Sequence, residues 1–309
     1  MATKISLVGK PEVGKTTIKQ VIFDGVDPNE LIMFPLEATI GMQYSVHNFM
    51  DLKISLLDTP GQSLPILLQD EQKQILTFGD TSAIIYVFDY PTWISNSQDI
   101  IDDVKKIYEI IKKQEIDAKI VLFLHKIDLL IHKKIGSMLA LIRRHVQKQL
   151  DLPEELPIYF TSLHPNLIYT VYYAISDTFS NFSKDSSNLK TIIKKLITPL
   201  SKTICLVTNS DDNLIIQVNS SDFDTSILYY LYENIYQSNN TIEEKAPKSK
   251  LINAGSKILN IIAENISQYH SNFKDILLFS ENLEEKDLHE LLGEIKLELE
   301  ELYKNMNEI

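Results

Sequence analysis

The chain has 309 residues, enough for two domains that each bury a core of their own. Hydrophobic residues make up 44% and charged ones 23%, an ordinary globular balance, but 30 Lys+Arg against 42 Asp+Glu leave a net charge of −12. That is the wrong sign for a protein that grips phosphate backbones, so no direct nucleic-acid partner is expected, and the lone Cys205 excludes both an intrachain disulfide and a cysteine-based zinc site. The longest apolar runs, AIIYVF at 83–88 and IVLFL at 120–124, are too short to span a bilayer. An alanine at position 2 excludes N-myristoylation, and the ending KNMNEI carries no prenylation cysteine. The expectation is a cytoplasmic chain with no direct membrane insertion, peripheral on an endomembrane only through partners.

In chain order, residues 4–8 form a short apolar strand that runs into Gly9, and a helix opens at Lys15 with Ile18, Val21 and Ile22 behind it. Residues 42–57 carry two extended stretches that meet at Asp51, a hairpin. Apolar runs at 83–88, 119–124 and 157–160 then alternate with helical patterns at 98–114, 135–149 and 166–182. Strands alternating with helices predict a mostly parallel sheet covered on both faces.

The pattern changes after 182. NFSKDSSN (181–188) reads as a polar boundary, followed by a short helix at 189–197 and a second hairpin made of TICLVTN and NLIIQVN. The segment FDTSILYYLYENIY is amphipathic, and its strip Ile227, Tyr229, Tyr230, Tyr232 and Tyr236 is a candidate dimer contact. Residues 238–250 read as an exposed loop, 251–268 as a helix and 276–279 as a strand. The last helix places Leu288, Leu291, Leu292, Ile295, Leu299 and Leu302 on one face.

Five elements carry chemistry. GKPEVGKT, Gly9 to Thr16, matches G-x-x-x-x-G-K-[ST] between a strand and a helix. Main-chain N–H groups of the loop and of the helix N-terminus are placed to wrap a polyphosphate; Lys15 reaches the β and γ oxygens, and Thr16 offers a hydroxyl to Mg2+. Pro11 and Glu12 occupy loop positions where small residues are usual, which bears on hydrolysis more than on binding. DTPGQ, Asp58 to Gln62, ends the next strand. Asp58 suits the Mg2+ shell, Gly61 the γ-phosphate, and Gln62 the attacking water. Thr39, in EATIG, is placed to close on Mg2+ and γ-phosphate. HKID follows Leu124, and a carboxylate at Asp128 accepts the two donors of a guanine edge that adenine lacks, with the Lys126 stem along the base. Thr161 and Ser162 follow the strand at 157–160 and offer a backbone N–H to the guanine O6. Each element falls at the C-terminal end of a strand, where open α/β sheets bind ligands. Trp93 reads as a packing or partner residue; the seven histidines show no metal-ligand spacing, and those other than His125 read as structural.

With these motifs the chain resembles the Rag/Gtr family of Ras-like small GTPases. HKID in place of the commoner NKxD carries the resemblance, together with KTTIKQVIF, DPNELIMFPLEATIG, AIIYVFD and FTSLHPNLIYTVYYAIS. The resemblance implies an α/β fold: a P-loop Ras-like GTPase domain at 1–183 with a mixed, mostly parallel six-stranded sheet, and a roadblock or longin-like α/β dimerisation domain at 184–309. The helix read at 251–268 departs from that second fold, where strands belong. Carried over residue by residue, Gln62, Lys15 and Thr39 would be catalytic. Gly9, Pro11, Glu12, Val13, Gly14, Lys15, Thr16, Thr17, Gly61, His125, Lys126, Asp128, Ser162 and Leu163 would hold GTP or GDP. Thr16, Thr39 and Asp58 would hold Mg2+.

The implied activity is slow GTP hydrolysis by a nucleotide-dependent switch in a homo- or heterodimer. Its partners would be regulators of hydrolysis and exchange and a scaffold for membrane attachment; eukaryotic relatives relay amino-acid signals to the target-of-rapamycin kinase complex. Both arginines, Arg143 and Arg144, lie outside the switch segments, so an activating partner is expected to supply a rate factor of about 10³ to 10⁵. Two other readings stand beside this one. A nucleotide-bound scaffold with poor hydrolysis is favoured by Pro11 and Glu12 and disfavoured by Gln62. A metabolic P-loop kinase fails on HKID and on the lack of an arginine-bearing lid.

Overall fold

The computed structural model describes residues 3–33, 41–49, 52–130, 135–164, 167–180, 182–209, 214–223, 248–254 and 257–307. The chain divides into two compact units, Met1–Ala174 and Ile175–Ile309.

The first unit is built on a six-stranded sheet in the order β2-β3-β1-β4-β5-β6. Its strands are β1 (Thr3–Val8), β2 (Gln43–Phe49), β3 (Leu52–Asp58), β4 (Thr81–Asp89), β5 (Lys119–His125) and β6 (Ile158–Phe160). β2 and β3 pair antiparallel, as the hairpin pattern predicts, and all other neighbours are parallel. β4 is buried along almost its whole length, the run of apolar residues that a central strand covered on both faces requires.

The helices are α1 (Lys15–Ile22), α2 (Pro28–Met33), α3 (Leu64–Leu67), α4 (Glu71–Phe78), α5 (Tyr90–Lys113) and α6 (Ile135–Leu150), with α7 (Tyr169–Ser180) leading out of the unit. α5 buries Ile100, Ile101, Val104, Ile107, Ile110 and Ile111, spaced to form one stripe against β4 and β5. It starts eight residues before the predicted start at 98, because Asp89 caps it and Pro91 sits in its first turn; the chain breaks helical geometry at Asn96 (φ −145°, ψ 47°). The periodic stripe begins only after that break. Trp93 is buried, packed on Phe88 and edge-on to His145.

The second unit holds a five-stranded, fully antiparallel sheet in the order β8-β7-β11-β10-β9. Its strands are β7 (Thr203–Thr208), β8 (Leu214–Asn219), β9 (Lys248–Ala254), β10 (Lys257–Asn265) and β11 (Asp275–Ser280). α8 (Lys184–Ile197) packs on β7 and β8 through buried Leu189, Ile193 and Ile197. The C-terminal helix α9 (Glu285–Asn307) packs on β10 and touches α8, burying Leu288, Leu292, Ile295 and Leu299.

Two sequence readings are corrected here. The segment 251–268, read as a helix, forms the strands β9 and β10, paired over seven residues. Leu259, Ile262 and Ile266 are buried at a spacing that mimics a helical stripe, and β10 is claimed by pairing with β11 on its other side. Its isoleucines fit a pleated surface better than a helix. The polar boundary at 181–188 is also shorter than predicted. α8 begins at Lys184, where the Ser183 hydroxyl caps it by accepting from Ser186 N at 3.1 Å, so the serines and asparagine that read as linker belong to a helix start. The strip at 227–236 lies outside the described residues, as does most of the loop at 238–250. No described helix is long and apolar enough to cross a membrane.

Candidate functional site

In the first unit β1, β3, β4, β5 and β6 end on the same side of the sheet, and the polar residues of the motifs gather there. The loop after β1 turns through Gly9 (φ +146°), Glu12 (φ +62°) and Gly14 (φ +97°). A Cβ on Gly9 would lie 2.1 Å from the Val87 carbonyl oxygen, and one on Gly14 would lie 2.7 Å from Cδ2 of His125. The loop is therefore wedged against β4 and β5, and only glycine fits at either contact. Val13 is fully buried beneath it, while Pro11 and Glu12 form its exposed crest.

Lys15, the first residue of α1, is buried, and its ammonium lies inside the loop, donating to the carbonyls of Gly9 at 2.9 Å and Lys10 at 2.8 Å. Burial lowers its pKa to about 8 against the pull of Asp58, so it remains a cation at neutral pH. Thr16 donates its hydroxyl to Asp58 Oδ2 at 2.6 Å. Asp58 is completely buried, its carboxyl pushed up by burial against the opposing effects of Thr16 and Lys15, and its Oδ1 has no hydrogen-bond partner. A hydroxyl beside a buried carboxylate with an unsatisfied oxygen is a hard-oxygen donor set, and it fits Mg2+. Thr17 is half-buried in the first turn of α1.

Gly61 opens a 3-10 turn, Gly61–Ser63, directly against the phosphate loop: a Cβ there would lie 2.3 Å from Pro11 N. Gln62 in the same turn is exposed. It borders a cavity of about 450 Å3 that runs from Lys10 and Pro65 to Asp99 and Asp103 of α5. Thr39 lies outside the described residues.

The HKID segment sits at the end of β5. His125 is buried, with Nδ1 paired to Thr161 Oγ1 at 3.0 Å and its ring against Gly14. Burial lowers its pKa to about 4, so it is a neutral strut between the phosphate loop and the loop after β6. Lys126 takes a left-handed backbone conformation (φ +60°) and sends its ammonium to the Glu12 carbonyl at 2.6 Å and to Asp89 Oδ2 at 2.8 Å. Asp128 accepts from the Ser162 hydroxyl at 2.5 Å, which fixes the carboxylate. Ser162 is itself held by Thr170, whose Oγ1 accepts from Ser162 N at 3.0 Å, and Leu163 follows, half-buried.

Every described residue of the predicted constellation thus falls on one rim. Ser162 orients Asp128 through its side chain, while its N–H, the group read from the sequence as a donor, is donated here to Thr170. Asp89 was not among the predicted site residues. Its sequence signal is an aspartate that both ends a buried strand and precedes Tyr-Pro-Thr, a helix-start pattern that hides its second contact. Among the described residues, no group of three or more His, Cys, Asp or Glu side chains forms a metal cluster of its own.

A family model described as the Gtr1/RagA G protein conserved region matches residues 4–238. The chain belongs to this family of small GTPases. It is also similar to the Ras-related GTP-binding protein A of Dictyostelium discoideum, 28% identical over 178 residues, which cover 57% of each protein. The family match runs from β1 through β8 and past it, so the first unit and the opening of the second lie within the conserved region.

Proposed function

We propose that this chain binds GTP and GDP with Mg2+, hydrolyses GTP slowly, and works as a nucleotide-dependent switch in a dimer. The observation that carries the reading is the pairing of two recognition elements on one rim. A glycine-bounded loop around Lys15 adjoins the Thr16–Asp58 pair, and Asp128 is pinned by Ser162 across the rim from it. On this reading the loop N–H groups and Lys15 take the phosphates, and Thr16, Asp58 and Thr39 hold Mg2+. When bound, Mg2+ neutralises charge that builds on the phosphate oxygens. Gly61 meets the terminal phosphate and Gln62 orients water. His125 keeps the two loops in register, and Asp128 accepts the guanine N1–H and N2–H groups.

Base choice is the test. Wild-type protein should retain guanine nucleotides over adenine and hypoxanthine ones, because a base without both donors leaves a fixed carboxylate underpaired. Asp128→Asn should lose that preference by tenfold or more, given about 1.4 kcal/mol per factor of ten and about 1.5 to 3 kcal/mol for a hydrogen bond to a charged group. An unaltered preference among purine nucleotides would sink the reading.

The second unit supports the dimer half of the proposal. Among the described residues a helix, two strands, three further strands and a closing helix, in the sheet order β8-β7-β11-β10-β9, support a roadblock-type reading, and we assign that role to residues 184–309. The strands β9 and β10 remove the departure that a helix there would have made. A hydrolysis-poor scaffold is the second reading, favoured by one contact: Gly61 lies against Pro11, where the terminal phosphate and the attacking water must be accommodated. Single-turnover phosphate release separates the two, since a switch releases phosphate and loses that release on Gln62→Leu, whereas a scaffold gives the same flat trace for both proteins.

A further inference from the structure

Asp89 is the last residue of β4 and is buried at 5% exposure, yet its carboxylate makes two bonds in different directions. Oδ1 accepts from Thr92 N at 2.9 Å, capping α5, and Oδ2 accepts from the Lys126 ammonium at 2.8 Å. The ammonium's other bond, at 2.6 Å, is to the carbonyl of Glu12 on the crest of the phosphate loop. One cation therefore ties three chain segments together: the phosphate loop, the start of α5 and the base-reading loop. Both ends of the tie carry backbone strain, since Glu12 and Lys126 are non-glycine residues with φ near +60°. A strained loop stays in place only where its surroundings hold it, and Asp89 is the anionic member of those surroundings.

We propose that Asp89 is a positioning residue that holds Lys126 across the phosphate loop and thereby sets the rate at which nucleotide leaves. The proposal rests on the guanine-nucleotide reading above and extends it to a residue with no direct place in base or phosphate recognition. Burial by itself would raise the Asp89 pKa, but hydrogen bonds from Lys126 and Thr92 outweigh it and hold the carboxyl below its ordinary value, so Asp89 is ionised at neutral pH. The two claims on it need two acceptor oxygens. Asparagine has one. If it caps Thr92 N, its NH2 group faces the ammonium; if its oxygen turns to Lys126, the helix loses its cap.

This gives a test that separates positioning from capping, because asparagine and serine are both good N-caps and neither can do both jobs. Release of a fluorescent GDP analogue is measured from the full chain with Mg2+. Asp89→Asn should release it about tenfold faster or more, from the strength of hydrogen bonds to charged groups, while the unfolding midpoint of the nucleotide-free protein stays near wild type. Asp89→Ser, which caps but is too short to reach Lys126, should behave alike, and it is the variant to read if the asparagine protein folds poorly. Neither change should alter the preference for guanine over hypoxanthine, which belongs to Asp128. Lys126→Met combined with Asp89→Asn should be no faster than Lys126→Met alone, since the two residues act through one bond. Wild-type release rates in both Asp89 variants, or additive effects in the double variant, would overturn the proposal. A wild-type chain that retains no guanine nucleotide refutes the underlying reading instead.

Discussion

The two units bury polar side chains in opposite ways. In the first, the parallel strands all deliver their C-terminal ends to one rim. Lys15, Asp58, Asp89, His125, Thr161 and Ser162 are buried at or just after those ends, with the Asp58 Oδ1 unsatisfied. In the antiparallel second unit strand ends alternate, and polar groups close on each other across the ladder. The Thr203 hydroxyl pairs with that of Ser280 at 2.9 Å, and Ser220 Oγ donates to Asp222 Oδ1 at 2.8 Å while accepting from Thr203 N at 3.0 Å. A parallel sheet brings its strand ends, and the polar residues on them, to one edge, whereas an antiparallel sheet divides them between two. The first arrangement suits recognition of a small ligand, the second a stable surface. The chain also carries a probe for each: its single tryptophan, Trp93, is buried in the first unit, and its single cysteine, Cys205, is buried in the second.

The largest effect should follow from Gly9→Ala. The new Cβ would meet the Val87 carbonyl at 2.1 Å, in backbone that cannot move without breaking β4, and at a φ of +146° that L side chains rarely adopt. The expected cost exceeds about 4 kcal/mol, the range reached only by exceptional substitutions. Trp93 fluorescence should report a first unit that is lost or strongly destabilised. Cys205, whose thiol burial pushes well above its ordinary value, should stay unreactive toward thiol reagents as long as its own sheet holds. Simultaneous loss of both signals in Gly9→Ala would contradict the separation of the two kinds of core.

A smaller effect distinguishes the units by pH. His125 titrates near 6.5 in an unfolded chain but only at about 4 in the fold, so between those values the unfolded state takes up a proton that the folded state refuses. Stability from this residue is therefore full above pH 6.5 and declines as pH falls to 4, by up to about 3 kcal/mol. Asp58, raised by burial, acts with the opposite sign, so the informative quantity is a difference between proteins. Denaturant midpoints followed by Trp93 should fall across this window in wild type and fall less in His125→Asn, which keeps a side chain able to bond Thr161. Equal slopes in the two proteins would mean that His125 is protonated within the fold.

The rim was largely legible because its chemistry is written locally. The phosphate loop is eight consecutive residues, and DTPGQ and HKID each follow an apolar run that reads as a strand. Asp89 was not legible, since its partner Lys126 is 37 positions away and nothing local marks the pair. Ser162's hold on Asp128 was hidden for the same reason, across 34 positions. In the second unit, β7, β8, β11 and the last helix could be read from their patterns, while β9 and β10 could not. Their residues satisfy a helical spacing about as well as a strand's, and only pairing with β11, decided at a distance, selects the strand. Misreading 184–188 as linker has a different origin, because serine and asparagine serve helix starts and loops equally well.

The smallest effect belongs to an ion pair in the second unit. Lys296 of α9 donates to Glu264 Oε1 of β10 at 2.6 Å, and the Glu264 side chain is only 10% exposed, with Oε2 buried and without a hydrogen-bond partner. The exposed pair Lys195–Glu298, between α8 and α9, has the same sign and a similar length but stands in water. Removing the cation has different consequences in the two places. Lys296→Met strands a nearly buried carboxylate and should cost about 1 to 2 kcal/mol, read as earlier exposure of Cys205 in urea. Lys195→Met should leave that transition where it was, since an exposed ion pair in water holds little. Adding Glu264→Gln to Lys296→Met should recover part of the loss, because the stranded charge, not the missing attraction, is what destabilises. A double variant worse than the single would show that Glu264 is held by its neighbours on β10 and β11 and does not depend on Lys296.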